Sequence, residues 1–374
     1  MSSPSSDGPS GTELSGPSDH VGNSGRTDRS SRRSQGFEIE LATGADAREL
    51  AAIYGSDDGF AGSIAVKFTR DPDPYASLLA EGDEVVVPVA RERESGRLVG
   101  MGACVIRTAW VNGEPVRIGY LTGLKALPQF RGWLRLIPQM YAFLREHSRS
   151  VECYVTTILS ANTTARRLLE RNRTGMPNYR FVTDYTTHCF RVARARGRDR
   201  MDAGTVAEMT AADGRFNLAA VGAPPGVSDA DVRVLRDRDG AALAWCAVLD
   251  QRATKQYRIT GYGGVYAGLA KLPVHRFGYP RLPRAGAVAN HVSVIGAGAE
   301  QDDPRLIKEL LGRVGAEFAD RDFVMVGATP GHPVAGALES MRTITYDSRL
   351  YDVGFDPACR RLDRRPVGLD VAYL

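Results

Sequence analysis

The stretch of this chain with the most chemistry in it reads Tyr120–Leu–Thr–Gly–Leu–Lys–Ala–Leu–Pro128–Gln–Phe–Arg131–Gly132. It is a strand running into a Pro-x-x-Arg-Gly loop. A helix follows, with Pro138 in its first turn, where a missing N–H costs no hydrogen bond. Such a junction aims several backbone N–H groups and the positive end of a helix at one spot, which suits an anion such as a pyrophosphate. An ordinary strand-to-helix turn has the same outline, and both readings stay open here. Downstream, Asn162–Thr–Thr–Ala165–Arg–Arg–Leu168 opens a second helix, with Asn162 placed either to cap it or to meet a ligand. Other chemistries lack their patterns. The 5 cysteines are scattered with no CxxC, and the 6 histidines form no HxH or HExxH, so no metal site is expected. No Ser/His/Asp or Cys/His arrangement is recognisable, so no covalent enzyme intermediate is expected.

Hydrophobic periodicity supplies the elements that would position these residues. In the first half it predicts strands at 37–41, 84–91, 98–108, 117–127, 151–159 and 183–192. Helices are predicted at 44–54, from Pro138 to about His147, and at 162–171. The charged, small-residue stretch 193–205 reads as a linker. The second half repeats the plan: a hairpin at 232–236 and 241–249, strands at 288–297, 322–327 and 343–353, and helices from Pro304 and Pro333. Three elements of the two halves share an offset of 171, which suggests a structural duplication. At that offset Arg131 and Gly132 fall on Asp302 and Asp303. Two carboxylates repel a phosphate, and Asp303 before Pro304 reads as a helix cap. The second copy is therefore expected to keep the fold without the cofactor. Residues 261–287 form a Gly/Pro/Tyr-rich insert, read either as a helix with a proline-rich return or as cleft lining through Tyr262, Tyr266, His275 and Tyr279.

The chain has 374 residues, enough for two domains with their own cores. The net charge of +4 comes from interleaved acids and bases, so no nucleic-acid partner is expected. No apolar run reaches the ~20 residues a membrane helix needs, and the Ser/Gly/Pro-rich N-terminus carries no secretory signal. A cytoplasmic protein with no membrane partner is expected. The domains are drawn as a disordered tail at 1–36, a first unit at 37–195, a second at 205–355 and a C-terminal tail at 356–374.

On Pro128–Gln–Phe–Arg131–Gly132 followed by Asn162, Ala165 and Leu168, in that order and on those elements, residues 37–192 resemble the GCN5-related N-acetyltransferase family. The resemblance implies an α/β fold, here two tandem copies of a mixed, mostly antiparallel sheet flanked by helices. It implies acetyl-CoA or another acyl-CoA as donor, a small-molecule amine as acceptor, and direct attack of the amine on the thioester. It places Leu124 and Ala126 along the pantetheine arm, the amides of Arg131, Gly132, Trp133, Leu134, Arg135 and Leu136 at the pyrophosphate, and Asn162 beside the pantetheine. The family's later loop glycines are replaced by Trp133, Leu134, Arg135 and Leu136, with Arg131 and Arg135 available to contact phosphate. Leu169 stands where many members carry the tyrosine that protonates the leaving thiolate, so Tyr179 or Tyr185 would have to supply a phenol. Tyr120 and Thr122 lie where the family places a base or a water-holding group. The two-unit plan is also similar to that of the enhanced intracellular survival proteins, which use a terminal carboxylate as base; the tail ending Tyr373–Leu374 permits that role. A catalytically inactive binding or scaffold protein, and a transferase drawing on a carrier-protein or aminoacyl-tRNA donor, are the two rival readings. Self-association is left open.

Overall fold

The computed structural model describes residues 32–34, 36–56, 59, 62–130, 134–171, 173–192, 200–209 and 214–374. β1 (Arg32–Ser34), which pairs with β2 (Phe37–Leu41), lies inside the stretch expected as a tail; residues 1–31 lie outside the described residues. α1 (Ala47–Tyr54), within the helix expected at 44–54, buries Leu50, Ile53 and Tyr54. β3 (Ile64–Thr69) and α2 (Pro74–Leu79) follow; neither was predicted. The expected strand at 84–91 is two, β4 (Glu84–Val86) and β5 (Pro88–Glu92), divided just before a proline that can only begin a strand. β6 (Leu98–Val111) and β7 (Glu114–Ala126) form a long hairpin through Asn112–Gly113, both at positive φ. α3 (Ile137–His147), β8 (Cys153–Leu159), α4 (Thr163–Leu169) and β9 (Asn178–Phe190) complete this half.

In the second half, β10 (Arg200–Ala203) lies within the stretch read as linker and pairs with β11 (Val232–Arg236); residues 193–199 lie outside the described residues. β12 (Ala242–Leu249), β13 (Gln256–Tyr262), α5 (Gly264–Leu269) and β14 (His291–Ala299) come next. α6 (Pro304–Glu317) is capped by the Asp303 carboxylate, which accepts from the Arg305 amide, and buries Ile307, Leu310, Leu311 and Val314. β15 (Phe323–Ala328), α7 (Pro333–Leu338) and β16 (Thr343–Gly354) close the repeat. The fold is α/β with a mostly antiparallel sheet flanked by helices, as the sequence indicated.

The sheet order is β1-β2-β5-β6-β7-β8-β16-β9-β15-β14-β12-β11-β10, with β4 also on β6, and β3 pairs with β13 in a separate ribbon. The closing strands of the two halves are exchanged. β16, from the second half, pairs with β8 of the first, while β9 lies between β16 and β15. The stretch 356–374, drawn as a tail, is packed in: Leu362, Val367, Leu369, Val371, Ala372 and Tyr373 are all buried. Accordingly, residues from Ser31 to Leu374 make one compact unit.

The duplication is visible in the backbone. β7 and β8 pair in parallel only from Ile118↔Cys153 to Tyr120↔Val155; β14 and β15 pair in parallel only from His291↔Phe323 to Ser293↔Met325. Three residues beyond the last pair on each leading strand stands a glycine with positive φ, Gly123 (+64°) and Gly296 (+57°). The offset is 173 on the leading strands and 170 on β8 and β15, close to the 171 read from the sequence.

Candidate active site

Beyond Tyr120 the two central strands part. β7 stays with β6, Thr122 opposite Ala103 and Lys125 opposite Met101, while β8 stays with β16, Thr156 opposite Tyr351 and Leu159 opposite Ser348. The register of β6 and β7 shifts at Met101/Ala103, next to the left-handed Gly123, and this bends β7 away. The vertex of the fork is tied by hydroxyls. Thr156 Oγ1 donates to the Leu121 carbonyl at 2.7 Å, and Tyr120 Oη lies 2.6 Å from Thr157 Oγ1. From Leu121 to Ala126 one edge of β7 therefore faces open space rather than a strand.

A cavity of about 880 Å³ passes through this fork. On one side of the sheet Leu121 and Ile158 join Tyr141, Leu144, Leu169 and Tyr179 in the cluster under α3 and α4. On the other side Tyr120 and Val155 pack with Tyr185 and Leu350. Strand alternation sends successive residues to opposite faces, so the fork connects the α3–α4 groove with a chamber on the far face. The ribbon of β3 and β13 covers that chamber with Phe68, Tyr257, Ile259 and Tyr262; Met325, Ile344, Tyr346 and Leu374 line its floor.

Of the predicted site residues, Tyr120, Thr122, Leu124, Leu134, Asn162 and Tyr179 line the cavity. Asn162 caps α4, its Oδ1 accepting from the Ala165 amide at 3.1 Å, while also facing the cavity. Tyr179 Oη lies 2.5 Å from Tyr141 Oη, and burial holds its pKa well above the ordinary value, so it is a neutral phenol. Tyr120 is pushed up to about 12 by burial and is likewise protonated in the neutral range. Tyr185 does not reach the cavity: it is fully buried, and its hydroxyl donates to the Leu369 carbonyl in the C-terminal segment. Ala126 is not among the lining residues either. Leu136 precedes α3, but its side chain packs with Ile39, Val99 and Phe143 in the core. Arg135 is exposed beside the start of that helix. Arg131, Gly132 and Trp133 lie outside the described residues. From the insert, Tyr262 and Tyr266 line the cavity, whereas His275 and Tyr279 do not.

Three features of the site escaped the sequence. Tyr54, on α1, lines the cavity with its hydroxyl against Gly123: a Cβ there would stand 2.6 Å from Tyr54 Oη. The second is a buried ion cluster. Arg70 donates to both Glu81 oxygens at 2.7 and 3.0 Å, and Lys255 Nζ reaches Glu81 at 2.8 Å and the Ala372 carbonyl at 2.9 Å. Burial lowers the Lys255 pKa to about 8 against the opposing pull of Glu81. This cluster binds α2, β13 and the C-terminal turn to one another. The third lies at the second fork, where the Asp370 carboxylate accepts from the Gly296 amide at 2.9 Å. The chain's own C-terminal turn, Val371–Tyr373, thus packs beside the position that corresponds to the open fork of the first half. Among the described residues, no group of three metal-ligating side chains is assembled and no helix is long and apolar enough to cross a membrane.

No family model and no curated protein sequence matches this chain. Solved structures do match in fold. N-myristoyltransferase from Saccharomyces cerevisiae with bound myristoyl-CoA is similar over 92% of this chain and 86% of that one, with a TM-score of 0.57 and 11% identity. Another structure of that enzyme matches at 0.57 over 91% and 92%, also with 11% identity. A proposed acetyltransferase from Pyrococcus horikoshii matches over 94% and 99%, with a TM-score of 0.51 and 11% identity. The likeness to these acyltransferase structures is one of fold, and it extends over both halves of the chain.

Proposed function

We propose that this chain transfers an acyl group from a coenzyme A thioester to an amine. The observation that carries the reading is the fork between β7 and β8, open to the α3–α4 groove on one face and to a separate chamber on the other. An amide-rich cofactor arm pairs with the unpaired edge of β7 at Leu121–Ala126 as an added strand would. The N-terminus of α3 favours the pyrophosphate. At the bend in β7, strand N–H groups polarise the thioester carbonyl and hold the oxyanion that forms as the amine attacks. Attack forms the C–N bond and the oxyanion, collapse of the oxyanion breaks the C–S bond, and the proton that the attacking nitrogen gives up balances the one the departing thiolate takes. Tyr120 and Thr157 supply hydroxyl donors at the fork vertex; with its raised pKa, Tyr120 is a donor there and not a base. Yeast N-myristoyltransferase, similar in fold, was solved with myristoyl-CoA, which supports acyl-CoA as the donor class. We place acetyl-CoA first, because a short acyl group leaves the far chamber to the acceptor.

Calorimetric titration and thermal shift with acetyl-CoA, myristoyl-CoA and free CoA test this. Ligand at about 100 times Kd stabilises by ~2.7 kcal/mol, a readily measured shift. Turnover is read as free thiol after adding an amine, and all 5 cysteines of the chain are buried, so background thiol reaction is low. Absence of a shift with every acyl-CoA overturns the reading and leaves a binding or scaffold protein in its place.

A further inference from the structure

The geometry points to a particular acceptor class: a primary monoamine carried on an apolar, ring-bearing body, seated in the far chamber. This rests on the acyl-transfer reading and deepens it. The chamber walls are Phe68 and Tyr257, ring centroids 5.4 Å apart, with Tyr346, Met325 and Ile344 across from them. The ring contacts continue behind these walls, from Tyr54 to Phe68 at 6.3 Å and from Tyr257 to His291 at 5.1 Å. Charged side chains among the cavity's lining are three: Lys125, Arg281 and Asp347. Lys125 Nζ donates to the Tyr54 carbonyl at 3.1 Å, and Arg281 sits at the rim with its side chain 45% exposed. Asp347 is exposed, and its carboxylate accepts from Thr186 Oγ1 at 2.8 Å. No cluster of carboxylates therefore waits for a second or third ammonium group, and a polyamine would bury charge without a partner. An aromatic body fills such walls at little entropic cost.

The same walls bear on the proton of the nucleophile. An amine must be neutral to attack, and the fork vertex itself offers phenol and hydroxyl donors. Desolvation in an apolar chamber favours the neutral amine and lowers its pKa. A lone amine on an apolar body is thereby held closer to its neutral, attacking form than a polyamine is. A long acyl chain is the competing occupant of an apolar chamber. Gly62, Ser63, Arg281 and Thr345 are exposed among the lining residues, giving the far face its own rim. An acceptor needs such a second opening, and a chain delivered through the fork does not.

The test uses the full chain with saturating acetyl-CoA and four acceptors: phenethylamine, tryptamine, spermidine and a short peptide with a free N-terminal glycine. The ring-bearing monoamines are expected to exceed the other two in kcat/KM by at least about tenfold, the scale on which apolar pockets discriminate. Ile344→Asp is expected to shift that preference toward spermidine. Tyr257→Leu is expected to raise the KM for phenethylamine by about tenfold with the KM for acetyl-CoA within about twofold. Circular dichroism checks the fold of both variants, and the wild-type order of acceptors tests the inference if either fails to fold. Preference for spermidine or the peptide overturns it, as does a rate that grows with acyl length and ignores the amine's body. In those outcomes acetyl-CoA still binds and the transfer reading stands; if no acyl-CoA binds, both fall together.

Discussion

Gly123 concentrates the demands of the site in one residue. Its φ of +64° is a left-handed conformation that costs a side-chain-bearing residue about 1–2 kcal/mol. A Cβ there would also meet Tyr54 Oη at 2.6 Å, well inside contact distance. Gly296, its counterpart, shares the φ at +57°, but a Cβ there meets only the mobile end of Met209. Gly123→Ala is therefore expected to cost more stability than Gly296→Ala in urea melts, and to weaken acyl-CoA binding in calorimetry where Gly296→Ala does not. Tyr54→Phe in the Gly123→Ala background should recover the part due to the clash and none of the part due to φ. Equal losses at the two glycines would mean that the hydroxyl contact carries no weight.

At the scale of elements, the C-terminal turn is held by its polar contacts with the second fork. Asp370 is half-buried there, and its loss of solvation raises its pKa to about 6 against the pull of the Gly296 amide and of Arg107. The sign follows from linkage. A carboxyl whose folded pKa lies above its unfolded value of 3.8 is harmless while protonated, and it costs stability as pH rises through about 4 to 6. For a shift of this size the cost reaches about 3 kcal/mol at neutral pH. Asp370→Asn keeps an acceptor for the Gly296 amide and removes the titration. Its stability relative to the wild type should rise between pH 4 and 7.5 in denaturant melts; a difference independent of pH refutes the assignment. This turn also marks where the sequence stopped being readable. The order of β7, α3, β8 and α4, and of their counterparts β14, α6, β15 and α7, announced itself through proline position and period-two alternation, while Asn162 was legible only as a cap or a ligand-facing residue. The exchange of β9 and β16 left no trace, because alternation fixes which residues of a strand share a face and not which strand lies alongside it. β3 and β13 find each other across the whole first half and show little alternation, so nothing local marked them. Tyr185 was misplaced for a related reason: alternation fixes which residues share a face, not that a distant carbonyl at Leu369 will claim the hydroxyl.

For the whole molecule, strand exchange sets the folding unit. β9 is hydrogen-bonded on one side to β16 and on the other to β15, Thr187 lying opposite both Tyr346 and Gly327. β8 in turn takes its outer neighbour, β16, from the second half. Residues 36–192 alone would leave both edges of β9 and the outer edge of β8 unpaired, and long unpaired strand edges drive aggregation. The α3–α4 groove would suffer with them, because Thr156 and Ile158 hold their side of the fork while β16 lies against β8. The ion cluster of Arg70, Glu81 and Lys255 adds a second tie, joining the chain just after β3 and α2 to the residue before β13, with all three side chains buried so that removing one leaves an uncompensated charge. The expected behaviour is one calorimetric transition for the full chain, with van't Hoff and calorimetric enthalpies equal. Residues 36–192 expressed alone should be insoluble, and co-expression with 200–374 should recover a soluble complex that binds acyl-CoA. Two separated transitions, or a monomeric and folded 36–192 that binds acyl-CoA, would show that each half closes its own sheet and that the exchange is dispensable.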